Sequence, residues 1–428
     1  MPDRPHRRRY RVGVTEGNLS RRRFLGIAAG GAAIGATAGL GAAAVRSRTD
    51  AVSSPHAAVP FDGPHQAGIS TPVQDRVHFT AFDLTVANHF EMITLLKEWT
   101  LAARRLTAGL PSGSLDPADV VPDDPPSDTG EALGLPASGL TLTIGFGPAL
   151  FDSRLGLTGQ RPPALADLPY FVNDSIDPAL SDGDLCIQAC ANDPQVALHA
   201  IRQLTRIGAG VVHPRWSQLG FLPSRAVADP QATPRNLQGF KDGTQNLDIT
   251  QPALLDEHVW AGADDGASWM AGGSYLVSRR IRMHLEPWDA SPLEEQEATI
   301  GRHKSSGAPL GRASETESFD FAAVGSDGKP RVPLTAHVRL AHPDHNDGAR
   351  LLRRGYSFVD GLDQAGHFNA GLFFLAYQRD PRRQFVPIQR RLSRNDSLNE
   401  YITHTSSGVW ACPPGVGPQG YWGDTLFR

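Results

Sequence analysis

Asp184-Leu185-Cys186-Ile187-Gln188-Ala189-Cys190-Ala191, followed at once by Asn192-Asp193-Pro194, reads as a buried strand that leads into a helix. The run is short, almost wholly apolar and closed by polar residues, the pattern of a strand covered on both faces. Asp193 can accept hydrogen bonds from the first free N–H groups of a helix, and Pro194 suits the first helical position, where an N–H has no partner. Val196, Ala200, Leu204 and Ile207 then recur at helical spacing. Working outward, residues 77–84 read as a strand and 86–107 as a helix with Phe90, Ile93, Leu96 and Leu101 among its apolar positions. A Pro/Asp/Gly-rich stretch over 110–138 reads as an exposed loop, and 140–146 and 210–220 as strands.

That order is β-α-β-β-α-β, the ferredoxin-like arrangement, and it recurs downstream. Residues 274–285 read as a strand, 292–300 as a helix, 334–341 and 371–378 as strands, 382–392 as a helix and 403–411 as a strand. The fold class is therefore α+β, with two ferredoxin-like domains at 56–225 and 226–428. Each antiparallel sheet carries helices on one face and leaves the other for a partner sheet or a cofactor.

Composition agrees with a large core: 428 residues, 40 % hydrophobic and 20 % charged. The net charge of -4 hides an asymmetry, because residues 1–50 carry ten arginines against Asp3, Glu16 and Asp50, which leaves about -11 for the rest. A body that acidic excludes nucleic acid as an expected partner. No run of eighteen strongly apolar residues occurs in the body, so no membrane span is expected in the mature chain. Ser20-Arg21-Arg22-Arg23-Phe24-Leu25-Gly26, followed by a Gly/Ala-rich, weakly hydrophobic stretch, looks like a twin-arginine export signal. Residues 1–55 are then a signal peptide and disordered N-terminus, read by the twin-arginine export machinery, and the protein is expected in the periplasm or outside the cell. That route carries folded proteins, which suits a cofactor inserted before export. Cys186 and Cys190 lie about 13 Å apart along their strand and cannot bridge each other. With Cys412 they read as small buried hydrophobes.

Chemistry concentrates in the second half. Gly239-Phe240-Lys241-Asp242-Gly243-Thr244 places an acid at what would otherwise be an Asp-Gly turn. In Pro333-Leu334-Thr335-Ala336-His337-Val338-Arg339-Leu340, strand alternation puts Leu334, Ala336, Val338 and Leu340 on one face and Thr335, His337 and Arg339 on the other. That polar face suits a metal ligand with a cation beside it, or two solvated side chains. Fifteen histidines are present, His342 and His345 nearby among them, so residue chemistry alone does not choose a ligand.

Together with Phe61-Asp62-Gly63-Pro64-His65-Gln66-Ala67-Gly68-Ile69, Ile144-Gly145-Phe146-Gly147-Pro148, Gly272-Gly273-Ser274-Tyr275, Gly301-Arg302-His303-Lys304 and Leu352-Arg353-Arg354-Gly355-Tyr356-Ser357-Phe358, these motifs resemble the exported bacterial branch of the dye-decolorizing peroxidases, which includes deferrochelatase-type proteins. The resemblance spans about residues 61–415. It implies one haem b per chain, held mainly by the second domain, with His337 as proximal iron ligand and Asp242 and Arg353 as the distal acid/base and arginine. It further implies that Gly243, Thr244, Gln245, His342 and Pro343 line the cofactor, with Arg280 and Arg339 as partners for its propionates. His342-Pro343-Asp344 stands where relatives more commonly have Asn-Pro-Arg, so no propionate contact is assigned to Asp344. In Gly371-Leu372-Phe373-Phe374 an alternating side chain would form a distal wall, with core packing as an equal account of the same pattern.

The implied activity is reduction of hydrogen peroxide with one-electron oxidation of small or dye-like organic reductants. Bulky donors would pass electrons through aromatic residues such as Trp410, Tyr377 or Tyr401, for which simple packing is the competing account. Two other readings share the fold: a deferrochelatase that frees iron from haem, and a non-enzymatic envelope haem carrier. The oligomeric state is left open.

Overall fold

The computed structural model describes residues 56–115, 124–224 and 232–427. The export-signal segment 1–55 and the domain boundary at 225/226 lie outside the described residues. In the first half, β1 (Arg76–Leu84) leads to α1 (His89–Thr107), β2 (Thr141–Phe146), β3 (Leu185–Ala191), α2 (Pro194–Ile207) and β4 (Val212–Phe221). Asp193 caps α2 as its sequence requires, accepting from the N–H groups of Gln195 and Val196 at 2.8 and 3.1 Å. α1 starts later than 86 because Asn88 is its cap. Its core face is Met92, Leu95, Leu96, Trp99, Ala102, Ala103 and Leu106, a complete stripe at helical spacing. Phe90 and Leu101, expected inside, are left in solvent at 78 % and 61 % exposure.

The second half runs α3 (Pro252–His258), β5 (Ser274–Met283), α4 (Leu285–Ala290), α5 (Leu293–Ile300), α6 (His337–Ala341), β6 (Leu352–Arg353), β7 (Tyr356–Leu362), β8 (Phe368–Gln378), α7 (Phe385–Asn395) and β9 (Ile402–Cys412). The expected strand at 334–341 is instead a loop and the short helix α6. Its alternating apolar residues include Ala336 and Leu340, four apart, and these two are buried while Leu334 is 62 % exposed. The strand that completes the repeat is β7, which the sequence reading passed over. The helix expected from 382 begins at Phe385.

Strand order is β2-β3-β1-β4 in the first half and β9-β5-β8-β7 in the second, antiparallel throughout. The same arrangement therefore occurs twice. The two sheets also join edge to edge, β2 to β9 at Phe146↔Ala411 and β4 to β7 at Phe221↔Ser357, closing a ring of eight strands. β6 follows the same edge of β8 as β7 does, through Leu352↔Tyr377 and Arg353↔Ala376. Gly371 permits the tight β5–β8 approach, since a Cβ there would fall 1.9 Å from the Ile281 carbonyl oxygen.

One cluster fills the ring with Phe79, Trp216, Phe373, Tyr356, Tyr377, Trp410 and the three cysteines, which are free and buried. A second packs α1 and α2 against the outer face of the first sheet. No helix among the described residues is long and apolar enough to cross a membrane.

Candidate functional site

A cavity of about 260 Å3 lies against the second half, and every residue lining it falls between Asn236 and His404. β5 gives Arg279, Ile281 and Met283, β8 gives Leu372 and Phe374, and α7 gives Phe385, Ile388, Gln389 and Leu392. Strand and helix periodicity select these sets. Leu372 and Phe374 are thus the members of 371–374 that face the cavity.

His337 opens α6, directly after the extended residue Ala336. Its Nδ1 donates to Asp396 Oδ2 at 2.7 Å. Asp396, just beyond α7, is 2 % exposed at its side chain, and its Oδ1 accepts from the Leu398 N–H at 2.9 Å. The carboxylate is therefore fixed through both oxygens, and the imidazole keeps Nε2 for another partner. Burial alone would lower the His337 pKa, but the charge and hydrogen bond of Asp396, helped by the charge of Asp242, raise it above the ordinary value against the opposing charge of Arg353.

The helix also changes which neighbours share the face of His337. Val338, Ala341, His342 and Pro343 line the cavity with it. Arg339, two residues on and so turned about 200° around the axis, points elsewhere. Its guanidinium donates to the Phe321 and Val332 carbonyls at 3.0 and 3.2 Å and lies 5.1 Å from the Phe321 ring centre. Arg280 likewise is not part of the lining. It sits on the opposite face of β5, bound to Gln218, Thr405, Asp360 and Asn369 over the Phe358 ring. Its neighbour Arg279 lines the cavity, 1 % exposed, paired with the buried Asp174 and donating to Ser407 at 3.2 Å. Trp410, Tyr377 and Tyr401 do not line it either.

The acid comes from a loop. Lys241 bridges back to Arg235, and the Asp242 N–H donates to the Pro234 carbonyl at 2.8 Å. Gly243 follows with φ +138°, a conformation side chains resist, and Gly243, Thr244 and Gln245 line the cavity with Asp242. Arg353 Nη1 donates to Asp242 Oδ1 at 2.8 Å, and both side chains remain partly accessible. Asn246 holds the Arg353 main chain from both sides: its Oδ1 accepts from the Arg353 N–H and its Nδ2 donates to the Arg353 carbonyl, each at 2.8 Å.

Behind the loop, Glu315 accepts from Lys241, Thr233 and Thr244, the last at 2.9 Å. Burial would raise its pKa, yet these bonds and the Lys241 charge hold it at about 2. His404, also in the lining, is pushed well below the ordinary histidine value by burial and by the charges of Arg279 and His337. Asp396, Asn246, Glu315 and Arg279 were not singled out from the sequence. Only Arg279 had a readable signal, the alternation along β5.

Family models describing the N-terminal and C-terminal parts of Dyp-type peroxidases match residues 66–222 and 233–417. A protein named Deferrochelatase from Yersinia pseudotuberculosis is 39 % identical over 363 residues, covering 83 % of this chain and 82 % of its own. One of the same name from Escherichia coli K12 is 38 % identical over 375 residues, covering 86 % and 87 %. The solved structure of ferric DtpA from Streptomyces lividans superposes with a TM-score of 0.82 at 41 % identity, covering 88 % of this chain and 99 % of that one.

Proposed function

Because the chain belongs to the Dyp-type peroxidase family, we propose that it is a haem b peroxidase in which His337 holds the iron and the Asp242–Arg353 pair handles hydrogen peroxide. One observation carries the reading: an imidazole tied to a buried carboxylate and an acid hydrogen-bonded to an arginine come from separate elements and line one cavity. The residues fit the cofactor. Ile281, Met283, Leu372, Phe374, Ile388 and Leu392 offer apolar surface to a flat macrocycle, and Nε2 of His337 is available to iron. Two buried donors without a hydrogen-bond partner among the described residues, Arg279 Nε and Gln238 Nε2, belong to lining residues and suit the acidic groups of the ring.

Bound there, haem supplies the redox chemistry of peroxide reduction and of one-electron oxidation of organic reductants. The protein supplies the rest. The Asp242 carboxylate takes a proton from one peroxide oxygen and returns it to the oxygen that leaves as water. Arg353 keeps Asp242 in place and stabilises the negative charge that builds on the leaving oxygen. Asp396 holds His337 with Nδ1 as donor and raises its basicity toward the metal.

Rapid mixing of the haem-loaded protein with peroxide tests this assignment. A fast change in the haem absorbance, slowed in Asp242→Ala and Arg353→Leu, is expected; a change of equal rate in both variants removes the two residues from the mechanism. The names of the relatives favour a second reading of the same site, release of iron from haem. Incubation of the loaded protein without peroxide, followed by separation of the porphyrins, decides it: iron-free porphyrin supports the release, and haem recovered intact counts against it.

Export rests on the motif at residues 20–26, with the periplasm or the exterior as destination. Replacing Arg21 and Arg22 by lysine should retain the protein in the cytoplasm, and export at the original level would defeat that reading.

A further inference from the structure

Every described residue that lines the cavity comes from the second half, yet one of them is held by the first. Residues 171–177, in the connection from β2 to β3, lie along β9. Asp174 bridges to His404 in parallel, and the N–H groups of Ser175 and Asp177 donate to the His404 and Thr405 carbonyls at 3.0 and 2.9 Å. The same segment reaches α7. Phe171 packs edge-on against Phe385 with ring centres 5.9 Å apart, and Asn173 Nδ2 donates to the Ser393 carbonyl at 3.5 Å. Asn173 sits at φ +71°, a left-handed backbone that asparagine tolerates better than most residues.

These contacts converge on Arg279. Its Nη2 donates to Asp174 Oδ1, its Nη1 donates to Ser407 Oγ at 3.2 Å, and its guanidinium carbon lies 5.4 Å from the Phe171 ring centre. Asp174 keeps 4 % of its side-chain surface accessible and Arg279 1 %. A guanidinium is planar, so two held Nη atoms and a ring against it fix the direction of the remaining Nε–H. That donor is buried and has no hydrogen-bond partner among the described residues. A cation buried this deeply is costly without a carboxylate beside it, and the carboxylate that compensates it comes from the half that gives the cavity no lining.

We propose that Asp174 is a positioning residue for haem: by holding Arg279 from the first half it aims the Nε–H at a propionate, so that haem retention depends on a segment outside the cavity wall. The proposal rests on the reading that haem binds in this cavity. Arg279 then stands between two carboxylates, Asp174 on one side and the propionate on the other, with a charge-assisted bond to each. Placement matters more than charge in this arrangement, because an asparagine at 174 can accept the same Nη2–H. The preferred ligand is a porphyrin whose edge carries a free carboxylate, over one in which that carboxylate is esterified.

The test loads the full chain with haem or with haem dimethyl ester and follows by absorbance the transfer of each to excess apomyoglobin, without peroxide. From Asp174→Ala, haem should leave about ten-fold faster than from the parent protein, while the diester leaves at the parent's rate. Asp174→Asn keeps the acceptor and should restore haem retention. Removing one partner of a buried ion pair can prevent folding. Ser407→Ala takes the other support from the same guanidinium and should show the same selectivity for haem over the diester, with a smaller effect. Equal acceleration of both ligands would reduce the segment to a support of the fold. Haem loss unchanged in Asp174→Ala, or in Ser407→Ala where the first variant does not fold, overturns the proposal. A parent protein that takes up no haem removes the haem reading itself, whereas one that binds haem no better than Asp174→Ala removes only this role.

Discussion

The two polar walls of the cavity are held in opposite ways. Beside the imidazole, Asp396 is 2 % exposed and both of its oxygens are taken, one by His337 and one by the Leu398 N–H. Beside the acid, Asp242 and Arg353 keep 28 % and 33 % of their side-chain surface accessible, while Asn246 holds the Arg353 main chain and Glu315 holds the side chains of Lys241 and Thr244 that flank the acid in sequence. A metal ligand needs only to stay in place, so its partner can be buried without cost to access. An acid that must meet an incoming molecule has to remain reachable, so beyond its bond to Arg353 it is supported by Asn246 and Glu315, which do not line the cavity.

The contrast can be broken at four points. Asp242→Ala should slow the reaction with peroxide by about 10²- to 10⁴-fold while haem retention is unchanged; loss of haem instead would make the acid a structural residue. Asp396→Asn should do the reverse, costing about 10- to 100-fold in haem retention or activity, and a variant that keeps both would reduce Asp396 to a helix-end contact. Asn246→Ala removes two hydrogen bonds to the Arg353 main chain, so peroxide reactivity should fall several-fold and stability by about 1–2 kcal/mol. Denaturant titration beside rapid kinetics would expose the idea as wrong if stability falls and reactivity does not.

The smallest effect belongs to Glu315→Gln, and it is a matter of pH. The Glu315 carboxyl is held at about 2, below its ordinary value near 4.5, so its contribution to stability is full above that ordinary value and fades as pH falls from there through about 2. The parent protein should therefore exceed the variant in stability at neutral pH, with the gap closing in acid. Parallel melting curves across that range would contradict the assignment of Glu315 as the anchor of the acid loop.

Much of this was legible in the residues themselves. The strand at 184–191 and the Asp193-Pro194 cap gave the first half nearly to its boundaries, because long periodic elements and caps are local properties. α6 was misread because five residues are too few for helical periodicity to separate from alternation, and Ala336 and Leu340 satisfy both patterns. That error placed Arg339 beside His337, where only a strand would put it. Arg280 was chosen over Arg279 without using the direction of β5. Asp396 and Glu315 lie in polar runs, 59 and 74 residues from the His337 and Lys241 side chains they bind, and no local pattern marks a contact made only by folding.

The ring closes at two seams, each with a single registered pair, and at both a second strand of one half meets a last strand of the other. Either half alone would present two naked edges, and two copies of one half would satisfy the same geometry as the unlike halves do. The fold is in this sense a symmetric dimer written into one polypeptide. The described cavity draws its whole lining from residues 236–404, so a two-fold frame carries this site on one side of its pseudo-axis.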